Sequence, residues 1–242
     1  MVFCSDLENP PAEGIADDSK TPQGAAVDVI NAMGRILGVK IRIASDKISD
    51  IFAALDRDKC DVIMASLGLT PQRAEHYVLV NYWRVGSGML VPRENPYHLT
   101  RYEDLSGRRA LTLAGSRNEA VVKTLSSKLI SEGKAPIKIL SMPTTAAALQ
   151  VLTLRQADAL VSDSVVINDS LSKAPSRFAT VKSPLPTNDW VIAIPKNRPD
   201  IQASLQSAVD ELIESHMMQL IVRRWGIAYS VGLCSSQNAC GE

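Results

Sequence analysis

The chain has 242 residues, enough for one large domain or two modest lobes that each bury a core. Lysine plus arginine and aspartate plus glutamate both number 26, so no excess charge is available to meet nucleic-acid phosphates or an anionic membrane surface, and neither is expected as a partner. Aromatics at 5% are a poor supply for stacking on bases or sugar rings, and no apolar run approaches the roughly 18 residues that cross a bilayer.

Met1-Val2-Phe3 leads straight into a first strand, Val2 to Ser5, with no signal peptide ahead of it; an exported protein would have lost its leader. Asp6 follows at the strand's C-terminal end, and Asn9-Pro10-Pro11 predicts an extended loop. From Val27 the apolar positions Val29, Ile30, Met33 and Leu37 recur at helical spacing until Gly38. Val39 to Ile43 alternates as a strand, and Ile48, Ile51, Phe52 and Leu55 share one face of a second helix.

The stretch from Asp61 to Arg73, DVIMASLGLTPQR, carries the first chemistry. Val62-Ile63-Met64 is the unbroken apolar run of a strand covered on both faces. Ser66, Gly68 and Thr70 come next, and Thr70-Pro71 is a helix start with the hydroxyl as cap. Arg73 lies in the first turn, where a cation opposes the helix dipole. Hydroxyls, free N–H groups and a guanidinium at the end of a parallel strand suit a carboxylate or phosphate. The alternative is a surface pair of Arg73 with Glu75, Asp61 or a neighbouring loop.

After Tyr77 to Val80 a long extended segment, Tyr82 to Val91, contains Gly86 and Gly88 and carries the chain into a second α/β pattern. That pattern predicts a strand from Ala110 to Leu113, a helix from near Asn118 to Gly133, a strand from Ile137 to Leu140 and a helix from Thr145 to Leu154. LTLRQADALVSD, Leu152 to Asp163, then repeats the pattern of LDRDKCDVIMAS, Leu55 to Ser66, at an offset that aligns Asp61 with Asp158 and Ser66 with Asp163. Chance similarity of two βαβ units is the alternative to a true repeat. Thr180 to Lys182 reads as a strand, Ser183 to Thr187 as a rigid Pro-containing connector, Trp190 to Ile194 as a buried return strand, and Ile201 to Ser215 and His216 to Trp225 as closing helices. The expected architecture is α/β: lobe 1 of residues 1–87 and 188–242, lobe 2 of residues 88–187, each a mostly parallel sheet flanked by helices, joined by two crossings with a ligand cleft between them.

Of the four cysteines, Cys234 and Cys240 flank a polar tail where a bridge is expected, while Cys4 and Cys60 lie in strand-like segments as buried thiols or a closely placed pair. Trp83, Trp190 and Trp225 sit in apolar company and read as core or hinge packing. No Ser/His/Asp set, phosphate loop or metal-ligand spacing stands out, so no catalytic residue, metal or cofactor is expected.

The stretches LGVKIRI, ALDRDKCDVIMASLGLTPQRAEHYVLV, YEDLSGRRALTLAGS, ALQVLTLRQADALVSD and IVRRWG together resemble the polar amino-acid-binding proteins of ABC importers, solute-binding family 3, with the type II periplasmic binding fold. The resemblance implies that Arg73 pairs with a ligand α-carboxylate, helped by Ser66, Gly68 and Thr70. It implies further donors at Gly115, Ser116 and Arg117, an α-ammonium on Asp163, and contact of Asp6 with the ligand's far end. It also implies a periplasmic, monomeric receptor that closes on its ligand and delivers it to an ABC permease. Asn9 and Ile48 stand where members that bind cationic amino acids hold the side chain between two rings, and Arg117 stands where a small residue is usual. Without those rings the cation–π contribution is gone, which turns the expected ligand towards a polar or acidic amino acid or another carboxylate. Arg117 either adds positive charge to the cleft or is a solvated side chain at a helix start. The alternatives are a signalling or docking protein and a dehydratase-like enzyme. For the enzyme, the residues after Asp163, Ser164 to Ile167, offer no general acid, and Glu119 is the one substitute, itself explained by its helix dipole.

Overall fold

The computed structural model describes residues 1–16, 20–181 and 187–236. The chain divides into two compact units, Met1–Val85 with Asn188–Glu242, and Gly86–Thr187.

In the first unit β1 (Val2–Ser5) is followed by a short hairpin, β2 (Gly14–Ile15) and β3 (Pro22–Gln23), then α1 (Ala25–Ile36), β4 (Arg42–Ser45), α2 (Ile51–Asp56), β5 (Val62–Ile63), α3 (Pro71–His76) and β6 (Tyr77–Val85). The second unit holds β7 (Ser87–Pro92), a 3-10 turn (Tyr102–Leu105), β8 (Arg109–Leu113), α4 (Arg117–Ser131), β9 (Lys138–Met142), α5 (Thr145–Thr153), β10 (Ala159–Asp163), α6 (Ser164–Lys173) and β11 (Phe178–Val181). The chain re-enters the first unit with β12 (Asn188–Pro195), α7 (Pro199–Glu214), α8 (Met217–Arg224) and β13 (Val231–Leu233).

The first sheet has the order β13-β6-β12-β5-β1-β4, the second β11-β7-β10-β8-β9. Both are mixed rather than mostly parallel. β4, β1 and β5 run parallel, as do β9, β8 and β10, whereas β6, β12 and β13, and likewise β7 and β11, pair antiparallel. The parallel strands are the ones joined by helical crossovers. In the second unit successive residues of one strand feed opposite cores: Met89 and Val91 pack with Tyr102, Val122 and Leu129, and Leu90 packs with Ala148, Leu152 and Ile167. Burial on both faces explains why these strands are continuous apolar runs.

Several sequence expectations shift. β4 starts at Arg42 rather than Val39, because the Val39 N–H closes α1 on Gly34 O. Ile48 lies in the turn before α2, and only Ile51 and Leu55 of that expected face are buried within the helix. The Asn9 loop is not extended: Asn9 and Glu13 exchange both backbone hydrogen bonds across a tight turn. α6 has no counterpart in the sequence reading, because Val165-Val166-Ile167 is β-branched and a poor helix signal. Burial overrides that propensity, and Gly88 makes the room: a Cβ there would stand 3.0 Å from Ile167. Of the two readings of Cys4 and Cys60 the closely placed pair holds: they form a disulfide, placed by the pairing of β1 with β5. Cys234 is also disulfide-bonded; Cys240 lies outside the described residues, as do Lys182 of the expected strand and residues 183–186 of the expected connector.

The repeat read at Asp61 and Asp158 has a structural counterpart. Asp61 accepts the N–H of Val2 at 2.7 Å and returns its own N–H to Val2 O. Asp158 accepts the N–H of Arg109 at 2.8 Å and returns its N–H to Arg109 O. In each unit the aspartate ahead of one parallel strand thus clasps the start of its neighbour. Asp158 is not a surface charge, since it is buried and takes the Arg109 guanidinium at 2.7 Å.

Candidate functional site

Three adjacent parallel strands of the first unit deliver Asp6 and Asn9 after β1, Ile48 after β4 and the segment from Ser66 to Arg73 after β5, all from the same sheet end. Strand C-termini leave side chains and N–H groups facing outward from the sheet, which is why ligand groups gather there.

The β5 loop is fastened by main-chain bonds: Val191 N–H to Leu67 O and Leu69 N–H to Asp189 O, each 2.8 Å. Gly68 is thereby bridged to Trp190. Thr70 caps α3 as its sequence context predicts, its Oγ1 accepting the Arg73 N–H at 3.2 Å behind Pro71 at the first helical position. Arg73 donates to Gly68 O and lies over the Phe52 ring, 5.3 Å from its centroid. Gly68 thus contributes its carbonyl to the arginine, not only an N–H to an anion. Burial lowers the Arg73 pKa to about 10, because desolvation disfavours the charged form. Ser66 has left-handed backbone, φ 46°, and its buried Oγ has no hydrogen-bond partner among the described residues. A strained backbone and an unsatisfied hydroxyl at one residue are features that accumulate at functional sites.

Asp6 is 5% exposed and its carboxylate accepts a long, 3.5 Å bond from the Glu8 N–H. Burial, reinforced by the Glu8 charge, pushes its pKa up to about 7. Burial also raises Glu8, against the opposing pull of Lys47. Asn9 and Ile48 are both buried.

In the second unit Ser116 follows β8 and Asp163 ends β10, neighbouring parallel strands. Ser116 Oγ caps α4 by accepting the Glu119 N–H at 3.2 Å. The Gly115 N–H, an expected anion donor, is already given to Glu119 Oε2 at 2.9 Å, and the Ser116 N–H goes to Leu113 O at 3.1 Å. These two backbone amides are therefore engaged within the chain, whereas the Ser116 hydroxyl, an acceptor at the helix start, keeps its own proton to donate. Asp163 accepts from Asn118 Nδ2 at 3.1 Å. Burial pushes its pKa up to about 6, opposed by Asn118 and by the positive charge of Arg117. Arg117 is thus electrostatically tied to Asp163. Glu119 behaves differently: although burial raises it, the Ser141 hydroxyl, Gly115 N–H and Lys123 together hold its pKa below the usual value. In this setting Glu119 serves as the acceptor for the start of its own helix and the neighbouring β9 hydroxyl.

Asp28 accepts from Trp225 Nε1 at 2.8 Å and so ties α1 to the end of α8. Phe52, Glu8 and Asn118 were not legible as site residues: Phe52 reads as one member of an amphipathic face, Glu8 as a loop charge and Asn118 as a helix-start residue. Among the described residues no group of three or more metal-ligating side chains occurs, and no helix is long and apolar enough to cross a membrane.

The sequence profile of bacterial extracellular solute-binding proteins, family 3, matches residues 1–228. The arginine-binding protein ArgT of Corynebacterium glutamicum is 25% identical over 210 residues, covering 84% of this chain and 67% of that protein. A probable amino-acid ABC transporter-binding protein of Haemophilus influenzae is 23% identical over 160 residues, covering 66% of this chain and 58% of its own length. The chain thus spans only about two thirds or less of these relatives. Among solved structures, an ancestral arginine-binding protein bound to arginine superposes with a TM-score of 0.85 at 22% identity, covering 93% of this chain and 97% of the other. The fold is that of the amino-acid-binding proteins, the two relatives named above are binding proteins, and with the profile matched from Met1 to residue 228 the chain belongs to the bacterial extracellular solute-binding proteins, family 3.

Proposed function

We propose that the chain is an extracytoplasmic receptor for a small amino compound bearing a carboxylate, which it delivers as a monomer to an ABC permease. The observation that carries this reading is the setting of Arg73: capped by Thr70, steered by Gly68 O, backed by Phe52 and stripped of enough water to lower its pKa to about 10. A desolvated guanidinium gains most from a planar, bidentate anion. Arg73 takes the ligand carboxylate with the help of Ser66, and Asp163 takes the ammonium. The ligand engages groups of both units, and closure of the lobes around it produces the form presented to the permease; this requires the ligand to interact better with the closed state than with the open one.

The ligand is a polar or acidic amino acid or a derivative of one. Asp6 near pKa 7 can donate to an acid or amide when protonated and accept when ionised. A second reading, a cationic amino acid, is favoured by the neighbouring Asp6 and Glu8 carboxyls and by the arginine-binding relatives.

The test is calorimetric titration of the refolded, ligand-stripped protein with the common L-amino acids. Arg73→Ala is expected to weaken binding by roughly 100-fold, about 3 kcal/mol, with an unchanged circular dichroism spectrum. Affinity within twofold of wild type overturns the carboxylate assignment.

A further inference from the structure

Asp163 occupies the N-cap position of α6 with φ −70° and ψ 149°, the backbone geometry from which an aspartate usually accepts the first free N–H groups of its own helix. Its side chain makes no such bond. The carboxylate accepts instead from Asn118 Nδ2, on the first turn of α4. Asn118 is 5% exposed, and its Oδ1 is buried with no hydrogen-bond partner among the described residues. Two ordinary gains are forgone at one point: the cap on α6 and a partner for the amide carbonyl. Selection for stability alone would release the carboxylate onto α6, so the arrangement indicates a carboxylate held in place for another group.

We propose that Asn118 is a positioning residue that keeps the Asp163 carboxylate off the α6 N-terminus and turned towards the ammonium of an amino-acid ligand. This inference rests on the receptor reading. Arg117 is the charged neighbour of Asp163, and it opposes the same guest, so a fixed carboxylate is needed for the ammonium to prevail. A carboxylate capping α6 would share its charge with backbone N–H groups and accept an ammonium less well.

Wild type, Asn118→Ala, the near-isosteric Asn118→Leu and Asp163→Asn are stripped of carried-over ligand, screened against the twenty common L-amino acids by thermal shift, and titrated with those that shift wild type. Asp163→Asn should lose roughly 100-fold in affinity and the Asn118 variants about tenfold. The ligand-free melting temperatures of the Asn118 variants should equal or exceed that of wild type, because the carboxylate regains its cap and the unpartnered carbonyl is gone. The leucine variant preserves volume should the alanine variant be poorly folded. Affinities within twofold of wild type overturn the positioning role. So does a loss of affinity accompanied by lower ligand-free melting temperatures in both variants, which marks a residue that only holds the fold. Failure of every amino acid to bind wild type overturns the receptor reading itself, and binding that Asp163→Asn leaves intact overturns the ammonium assignment.

Discussion

Asp6 holds a proton that a free aspartate releases near pH 4. Its folded pKa of about 7 exceeds the ordinary value of 3.8 because burial penalises the charged form. The unfolded chain therefore sheds this proton first as pH rises, and the native state loses stability between about pH 4 and 7, at up to roughly 1.4 kcal/mol per pH unit. Above pH 7 that loss is complete. Asp163, raised to about 6, acts with the same sign over a narrower window. Asp6→Asn should flatten the fall, so that ligand-free melting curves between pH 5 and 8 converge and the variant is more stable than wild type at pH 8 by about 2 kcal/mol or more. A variant that follows the wild-type pH profile rules out Asp6 as its source. Asp6 was visible in the sequence as a strand-end acid, but its protonation was not, because burial among distant segments has no local signal.

At the scale of elements, α1 depends on the backbone of Gly24. Its φ of 136° lies where side chains are disfavoured, and a Cβ there would stand 2.3 Å from Ala12 O. Gly24→Ala should lower stability by about 2–3 kcal/mol, read as a shift of the urea midpoint at constant slope. Short-range chemistry of this kind was largely legible in advance: the Thr70-Pro71 start of α3, the limits of β1 and the strand before Ser66 follow from caps and apolar runs. What escaped was decided by tertiary contact. α6 is buried against β7 despite its β-branched residues, and β13 gains its strand geometry only from pairing with β6. The donor set at Gly115 and Ser116 shows the same limit: residue types identified the helix start, but the reach of Glu119 back to Gly115 decided which amides remain.

On the scale of the whole chain, the Cys4–Cys60 bridge closes a sequence separation of 56 and joins β1 to the approach of β5, the two strands that lead to Asp6 and Ser66. Loop closure over that length corresponds to about 4 kcal/mol of stabilisation. The double variant Cys4→Ala/Cys60→Ala should melt roughly 10 °C lower, and an unchanged melting temperature would show that the surrounding sheet suffices without the bridge.

Trp83 and Trp190 face each other in register on β6 and β12, fully buried, with ring centroids 6.0 Å apart. These are the strands by which the chain leaves the first unit and returns to it. At that separation light absorbed by one indole passes readily to the other, so the pair acts as a single emitter seated in a dry environment. The molecule carries its own optical probe at both crossing points, and once Trp225 is replaced by phenylalanine its tryptophan emission follows the packing of those two strands without any attached dye.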